Sequence, residues 1–407
     1  KKIWTGLGIK GMRESNWDLP RKKLAYHALL DSLLEIPSSS FMKNEPVFRQ
    51  YGLLKSFLKQ YRTLEESGKW KTIKPDQKTY RLGDSSKVVP EIREHLFLLG
   101  DLASNNQLHQ FDSELEMAVK RFQQRYGIKD DGIVGPAMIA ELNYPLSKRV
   151  EQIIVNMERC RWLPVALNTD YIVVNIPEYK FHAFENDSLA WSMNVVVGTV
   201  LNKTAIFNGM MNNVVFSPYW NVPPSIVKAE ILPGMRKNKN YLASKNMEIT
   251  IPGDVPTVRQ LPGAANSLGL VKFLFPNAYN IYLHDTPGKH LFAKQNRSLS
   301  HGCIRLGDAR KMAGYLLRND TSWTAIKIDT AMHQQKEKWV TLKKTIPVFM
   351  AYFTSWVDGN GVLQFRKDIY DLDFITDEIK LSTLYESLIE KTEKFNKLHL
   401  VCFDDYD

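Results

Sequence analysis

At Tyr171 the hydrophobic pattern of this chain changes period, and no other feature constrains its fold as much. Downstream come β-rich runs divided by turn residues: Tyr171-Ile172-Val173-Val174-Asn175-Ile176-Pro177, Lys180-Phe181-His182-Ala183-Phe184, Trp191 to Gly198, then Val214 to Trp220. Val, Ile, Phe and Tyr suit a pleated, half-buried surface, so these runs predict an all-β sandwich. Upstream, apolar residues recur at helical spacing, as in Val150, Ile153, Ile154 and Met157. At 407 residues the chain exceeds a usual single core. The expectation is a multidomain α+β protein, helical at first and mainly β after.

Residues 1–77 read as a helical scaffold. Leu24, Ala28, Leu29, Leu33 and Leu34 make one stripe before Pro37 and the Ser38-Ser39-Ser40 break. Val47, Tyr51, Leu54, Phe57, Leu58 and Tyr61 make a second, ending near Gly68. Residues 78–145 read as a compact three-helix unit. Tyr80-Arg81-Leu82-Gly83-Asp84 leads into a helix with Val88, Ile92, Leu96 and Leu99, closed by Gly100. Asp112 suits the cap of a second helix, whose buried stripe is Leu115, Ala118, Val119 and Phe122. Asp131-Gly132-Ile133-Val134-Gly135-Pro136 is a tight turn starting a third, with Pro136 in its first turn.

The mainly β domain is expected over 146–372. Between about 224 and 263, Pro224, Pro233, Pro252, Pro256 and Pro262 alternate with basic and polar residues, around a short helix at Ser225 to Ile231. An insertion of that kind inside a β domain reads as a lid or binding loop. Strands resume at Leu270 to Phe275 and Asn280 to His284, and Ala309 to Leu317 reads as a helix. Pro347 to Val357 and Val362 to Phe365 predict a late hairpin around Asp358-Gly359-Asn360-Gly361. A helical tail over 373–407 contains an amphipathic stretch, Asp377 to Leu398, expected to pack on the body.

The formal net charge of +10 favours polyanionic partners. Lys and Arg are spread along the chain without clustered blocks or aromatic-basic motifs, so nucleic acid is not the expected partner. No run approaches the roughly twenty apolar residues of a membrane span. The chain begins at Lys1, which reads as a mature or shortened form with any export signal outside it. Cys160, Cys303 and Cys402 cannot all pair within one chain, and with the histidines they lack metal spacing. Cys160 and Cys402 read as small buried apolar groups.

Cys303 is different. It stands in Ser300-His301-Gly302-Cys303-Ile304-Arg305-Leu306, a poor core sequence, downstream of His284 in Ile281-Tyr282-Leu283-His284-Asp285-Thr286-Pro287. A thiol becomes a strong nucleophile as the thiolate, so a catalytic Cys needs a base or a positive field nearby. His284 ends an apolar run that reads as a strand, and a strand and a loop can meet in space. Gly302 lets the backbone come close, so amides around Gly302 and Cys303 could stabilise an oxyanion. Asp285 either orients His284 or shapes the turn before Pro287. His301 suits loop shaping or substrate contact better than a second base. Arg305 has three readings: lowering the thiol pKa, gripping a substrate carboxylate, or pairing with a nearby acid.

Two resemblances follow. The Arg81-Leu82-Gly83-Asp84 start, the Ala118-Val119-Lys120 to Phe122-Gln123 run and Asp131 to Pro136 appear in the order of the peptidoglycan-binding module of cell-wall enzymes. The stretches Tyr282 to Pro287 and Ser300 to Leu306 resemble the YkuD-type L,D-transpeptidases of bacterial cell walls. That likeness extends to Tyr219 through Ile226 and to Leu261-Pro262-Gly263 through Phe275-Pro276-Asn277. Together they suggest the long, lidded, Gram-negative form.

The resemblance implies Cys303 as nucleophile, His284 as base, the His301-Gly302-Cys303 backbone as oxyanion hole, and Asp285 behind the base through its side chain or carbonyl. Arg305 stands where many members have Asn. Tyr282, Trp220, Asn221 and Asn266 are implied to line the substrate groove. The implied partners are peptidoglycan stem peptides and glycan, in the periplasm, with no metal or organic cofactor. The implied reaction is 3→3 cross-linking through a thioester. An L,D-carboxypeptidase or endopeptidase using water, or an idle wall-binding scaffold with a relict Cys303, stays open.

Overall fold

The computed structural model describes residues 17–18, 48–163 and 169–373. The stripe at Leu24 to Leu34, the stretch Asp377 to Leu398 and Cys402 lie outside them. The described residues divide into two compact units, one within Lys1–Ala166 and Phe353–Asp407, the other within Leu167–Tyr352.

In the first unit, helix α1 (Gln50–Glu66) buries Tyr51, Leu54, Leu58 and Tyr61 and packs on α5 (Leu146–Trp162). Between them lie α2 (Val89–Leu98), α3 (Ser113–Arg125) and α4 (Pro136–Leu142). Asp112 caps α3 by accepting from the Leu115 amide at 2.9 Å, and Leu115, Ala118, Val119 and Phe122 are fully buried. The motif residues have structural duties. Gln123 donates to Asp131 Oδ1 and to the Ile133 carbonyl, and accepts from the Gly132 amide, so it holds the turn that starts α4. Tyr80 and Val134 exchange backbone hydrogen bonds at 3.0 and 2.9 Å, joining the first motif to the last. Cys160 is buried on α5.

The expected late hairpin is corrected. Residues 338–351 form one long strand of the second unit, and the hairpin pairs Ser355–Val357 with Leu363–Phe365 in the first. Pro347 to Ala351 looks like a hairpin arm locally, but it is claimed by strands over a hundred residues away.

The second unit is mainly β. Its strands are β1 (Tyr171–Asn175), β2 (Lys180–Glu185), β3 (Ser188–Gly198), β4 (Ile206–Phe216), β5 (Trp220–Asn221), β6 (Met247–Ile251), β7 (Thr257–Gln260), β8 (Val271–Leu274), β9 (Leu283–His284), β10 (Ser298–Ser300), β11 (Ile304–Leu306) and β12 (Lys338–Ala351). Eight of them pair in the order β4-β12-β1-β2-β3-β11-β9-β8, and β8 pairs back onto β4. The expected sandwich is thus joined round its edges into a ring, which leaves no open edge along that circuit. Helix α6 (Ala309–Leu317), capped by Asp308, buries Met312, Ala313, Leu316 and Leu317; α7 (Ala325–Met332) packs on it.

The insertion is more ordered than its prolines suggested. Strands β5, β7 and β6 form a small sheet, and a helical run crosses Pro224–Ile226, a π-turn at Val227–Ile231, and Leu232–Lys237. Val222, Val227, Ile231 and Val258 make a core of its own. Pro224 and Pro233 sit in first turns, Pro252 follows β6 and Pro256 precedes β7, so the prolines punctuate elements rather than prevent them.

Register decides what faces the insertion. Phe273, Leu283 and Ile304 lie side by side on β8, β9 and β11 and are fully buried. Their neighbours Lys272, His284 and Arg305 form the adjacent row, and period-two alternation turns that row to the other face of the sheet.

Candidate active site

Strand β9 and the start of β11 bring the two motifs together. They pair in parallel, with His284 opposite Arg305, and the Ile304 amide donating to the Tyr282 carbonyl at 3.2 Å extends the ladder back to Cys303. Tyr282, His284, Cys303 and Arg305 therefore share one face. The Tyr282 and His284 rings lie 5.8 Å apart. The Cys303 thiol is directed at the Asn280 carbonyl, 3.8 Å away, and no hydrogen bond joins it to His284. Burial pushes the thiol pKa up, while hydrogen bonding to the Tyr282 backbone and side chain and the charge of Arg305 pull it down. Burial and the Cys303 thiol push the Tyr282 hydroxyl up in turn.

His284 is 4% exposed, and burial pushes its pKa down to about 4, with the Arg305 charge adding to the effect. Its Nδ1 lies 2.5 Å from the Asp285 carbonyl oxygen. A carbonyl can only accept, so Nδ1 carries the proton and Nε2 keeps the lone pair a base needs. The resting pair is a neutral thiol and a neutral imidazole. The Asp285 carboxylate is spent elsewhere: Oδ2 accepts from the Leu270 amide at 3.0 Å and Oδ1 from Lys289 Nζ at 2.6 Å. The chain comes so close here that a Cβ on Gly269, at φ +63°, would lie 2.4 Å from Asp285 Oδ2.

Two hydroxyls frame the loop before the thiol. Ser300 Oγ donates to the Cys303 carbonyl at 2.6 Å and accepts from the Gly302 amide at 3.1 Å. The Gly302 amide is therefore occupied, which removes it from the expected oxyanion hole and leaves the His301 and Cys303 amides. Thr204, 2% exposed, accepts from the Gly198 amide at 2.9 Å and donates to the Gly302 carbonyl at 2.8 Å. In a trans peptide the Gly302 C=O and the Cys303 N–H point opposite ways, so fixing one aims the other. Gly302 sits at φ +112°, where a side chain is strained even though a Cβ would meet nothing nearer than 3.8 Å.

This frame carries a prediction. Thr204→Val should lower the rate of Cys303 acylation about 10- to 100-fold while leaving iodoacetamide labelling of the thiol unchanged, and Thr204→Ser should restore most of the rate. Stopped-flow acylation alongside labelling checks it.

His301 is exposed, and its Nε2 lies 3.6 Å from Glu230 Oε1 on the π-turn of the insertion. Trp220 and Asn221 form an edge strand of the insertion sheet opposite Gln260 and Arg259, outside the His284 row. The groove-lining expectation for Asn266 is corrected. Its side chain is buried, with Nδ2 donating to the carbonyls of Pro218, Gln260 and Leu261 and Oδ1 accepting from the Leu268 amide. The two ends of the insertion meet there, and buried carbonyls need donors.

Sequence reasoning missed Ser300, Thr204, Glu230 and the Asn277–Asn280 turn. Asn277 accepts from the amides of Tyr279 and Ile281 and donates to the carbonyls of Phe275 and Ile281, presenting the Asn280 carbonyl to the thiol. Adjacency to Cys303 was a signal for Ser300. Nothing local marked Thr204.

Comparison with known families places both segments. Residues 169–329 match the L,D-transpeptidase catalytic domain, YkuD, and residues 85–142 match the family described as "Putative peptidoglycan binding domain". Over these segments the chain is similar to a YkuD catalytic domain and to a peptidoglycan-binding domain. It is 31% identical over 267 residues to a Haemophilus influenzae protein named "Putative L,D-transpeptidase", covering 61% of this chain and 53% of that one. It is also 41% identical over 86 residues to the N-acetylmuramoyl-L-alanine amidase CwlM of Mycobacterium tuberculosis, covering 18% and 21%. The chain thus spans about half the length of the first relative and a fifth of the second. Among solved structures, it is similar to the L,D-transpeptidase of Stackebrandtia nassauensis at 14% identity and a TM-score of 0.26, covering 69% of this chain and 96% of that one. Among the described residues no helix is long and apolar enough to cross a membrane, and no His, Cys, Asp and Glu group could hold a metal ion.

Proposed function

We propose that this protein is a cysteine L,D-transpeptidase that forms 3→3 cross-links in peptidoglycan. Cys303 attacks the carbonyl of the third, L-centred residue of a tetrapeptide stem, usually meso-diaminopimelate. The thiol proton passes to His284 Nε2 as the S–C bond forms, and the His301 and Cys303 amides face the oxyanion. The C–N bond then breaks, and D-Ala leaves as the amine with the proton His284 returns. An amine of a second stem attacks the thioester, His284 takes its proton, and the thiol is regenerated.

The observation that carries this reading is the parallel pairing of β9 with β11, which sets His284, its Nδ1 proton fixed by the Asp285 carbonyl, on the same face as the only described cysteine outside the core. The proposed step requires the thiol to turn about χ1 away from the Asn280 carbonyl and toward His284. In this reading the segment 78–145 holds the wall and the unit Leu167–Tyr352 does the chemistry, in the periplasm; the expected limit at 146 moves past helix α5, which belongs to the first unit. Mass spectrometry of products from purified disaccharide-tetrapeptide tests the reading. A dimer lighter by one D-Ala is expected, whereas tripeptide as sole product would replace transfer with hydrolysis.

A further inference from the structure

Two cations flank His284 in the register row, and they are not in the same state. Lys272 is engaged: its Nζ donates to the Tyr219 carbonyl at 3.4 Å at the root of the insertion, and the Glu337 charge favours its protonated form. Arg305 is not. Among the described residues it forms no ion pair and no side-chain hydrogen bond, which removes the salt-bridge reading of that residue. Its Nε is buried without a partner, and its terminal nitrogens stay open to solvent. A half-buried guanidinium left unsatisfied on the face of a nucleophile is costly unless a ligand completes it. Its planar fork matches a carboxylate.

The proposed reaction says where such a carboxylate would be. When Sγ reaches the scissile carbonyl, a leaving group of one residue carries its carboxylate just beyond the next Cα, about 3.8 Å along the chain. Arg305 lies on the same strand face as Cys303, two residues on, so it flanks that position. A leaving group one residue longer would carry its carboxylate a further ~3.5 Å away. Resting on the proposed function, we infer that Arg305 binds the carboxylate of the departing D-amino acid, and so restricts the enzyme to stems ending one residue past the scissile bond.

The experiment follows Cys303 acylation by intact-protein mass spectrometry with three donors: disaccharide-tetrapeptide, the same donor with its terminal carboxylate amidated, and disaccharide-pentapeptide. The wild-type protein should react with the free acid about 100-fold faster than with the amide or the pentapeptide. Arg305→Gln should collapse the acid-to-amide rate ratio from about 100 to about one, because only the free acid offers a carboxylate for the guanidinium to hold. Arg305→Lys should keep part of the preference, because it keeps the charge and loses the fork. Equal slowing of acid and amide in Arg305→Gln would overturn the inference and leave Arg305 acting on the thiolate. A wild-type protein without preference would also overturn it, leaving the transpeptidase reading intact. No adduct with any donor would overturn that reading itself and the inference with it.

Discussion

Cys303→Ala is expected to abolish acylation by tetrapeptide donors, a loss of at least roughly 10⁴-fold, because no second thiol or hydroxyl stands where Sγ stands. The fold should not notice. Sγ makes only weak contacts, with the Asn280 carbonyl at 3.8 Å and with Tyr282, so thermal melts should shift by no more than about 2 °C. Intact mass after incubation with donor, read beside the melt, separates a lost nucleophile from a lost fold. A variant as active as the wild type would return Cys303 to the status of a relict and leave an idle wall-binding scaffold or an unrelated active site as the remaining readings.

His284→Gln should cost about 10²- to 10⁴-fold in acylation rate, and its pH dependence carries more information than its size. In the wild-type protein burial and the Arg305 charge hold the imidazole pKa down at about 4, so the base stays neutral well below the ordinary 6.5. The acid limb of kcat/KM for the wild-type protein should therefore fall near pH 4, not near 6.5. Stability follows with a definite sign. Between pH 6.5 and about 4 the unfolded chain takes up a proton at His284 that the folded chain refuses. The stabilisation from the neutral ring is complete above pH 6.5 and is lost as pH falls to about 4, on the order of 3 kcal/mol in all. His95, whose pKa burial also lowers to about 4, acts in the same direction. The difference between wild-type and His284→Gln melts across this range isolates the His284 share, and a constant difference would contradict the burial.

The neutral resting pair also bears on how the thiol is activated. Burial raises the Cys303 pKa and lowers that of His284, so neither group favours a standing thiolate–imidazolium pair. Proton transfer is then coupled to attack on the substrate carbonyl. The framed peptide at Gly302–Cys303 supplies the compensating donors at that moment, and Thr204 and Ser300 keep it aimed without reorganising.

Local pattern was enough wherever a residue's duty lies within a few positions of it. The α3 stripe, its Asp112 cap, the turn at Asp131 to Pro136 and the strands from Tyr171 depend on periodicity, capping and turn chemistry, which short-range sterics and hydrogen bonding settle. Cys303 and His284 could be picked out because a Gly-flanked thiol and a strand-ending imidazole are poor core residues. Prolines in the insertion misled because they mark element ends as readily as they mark loops. The Asn266 side chain gave no hint that it would be consumed by three carbonyls at the insertion's root.

Residue types and their local order thus determined which groups have the chemistry: a thiol, an imidazole, a guanidinium and a permissive glycine. Only the tertiary structure decided which of them are free to use it. Parallel pairing of a two-residue and a three-residue strand set His284 opposite Arg305, a threonine about a hundred residues upstream took hold of the Gly302 carbonyl, and the Asp285 carboxylate went to Lys289 and a backbone amide. Those outcomes turn on hydrogen-bond partners distant in sequence, and a buried polar group is committed or available according to what the fold sets beside it.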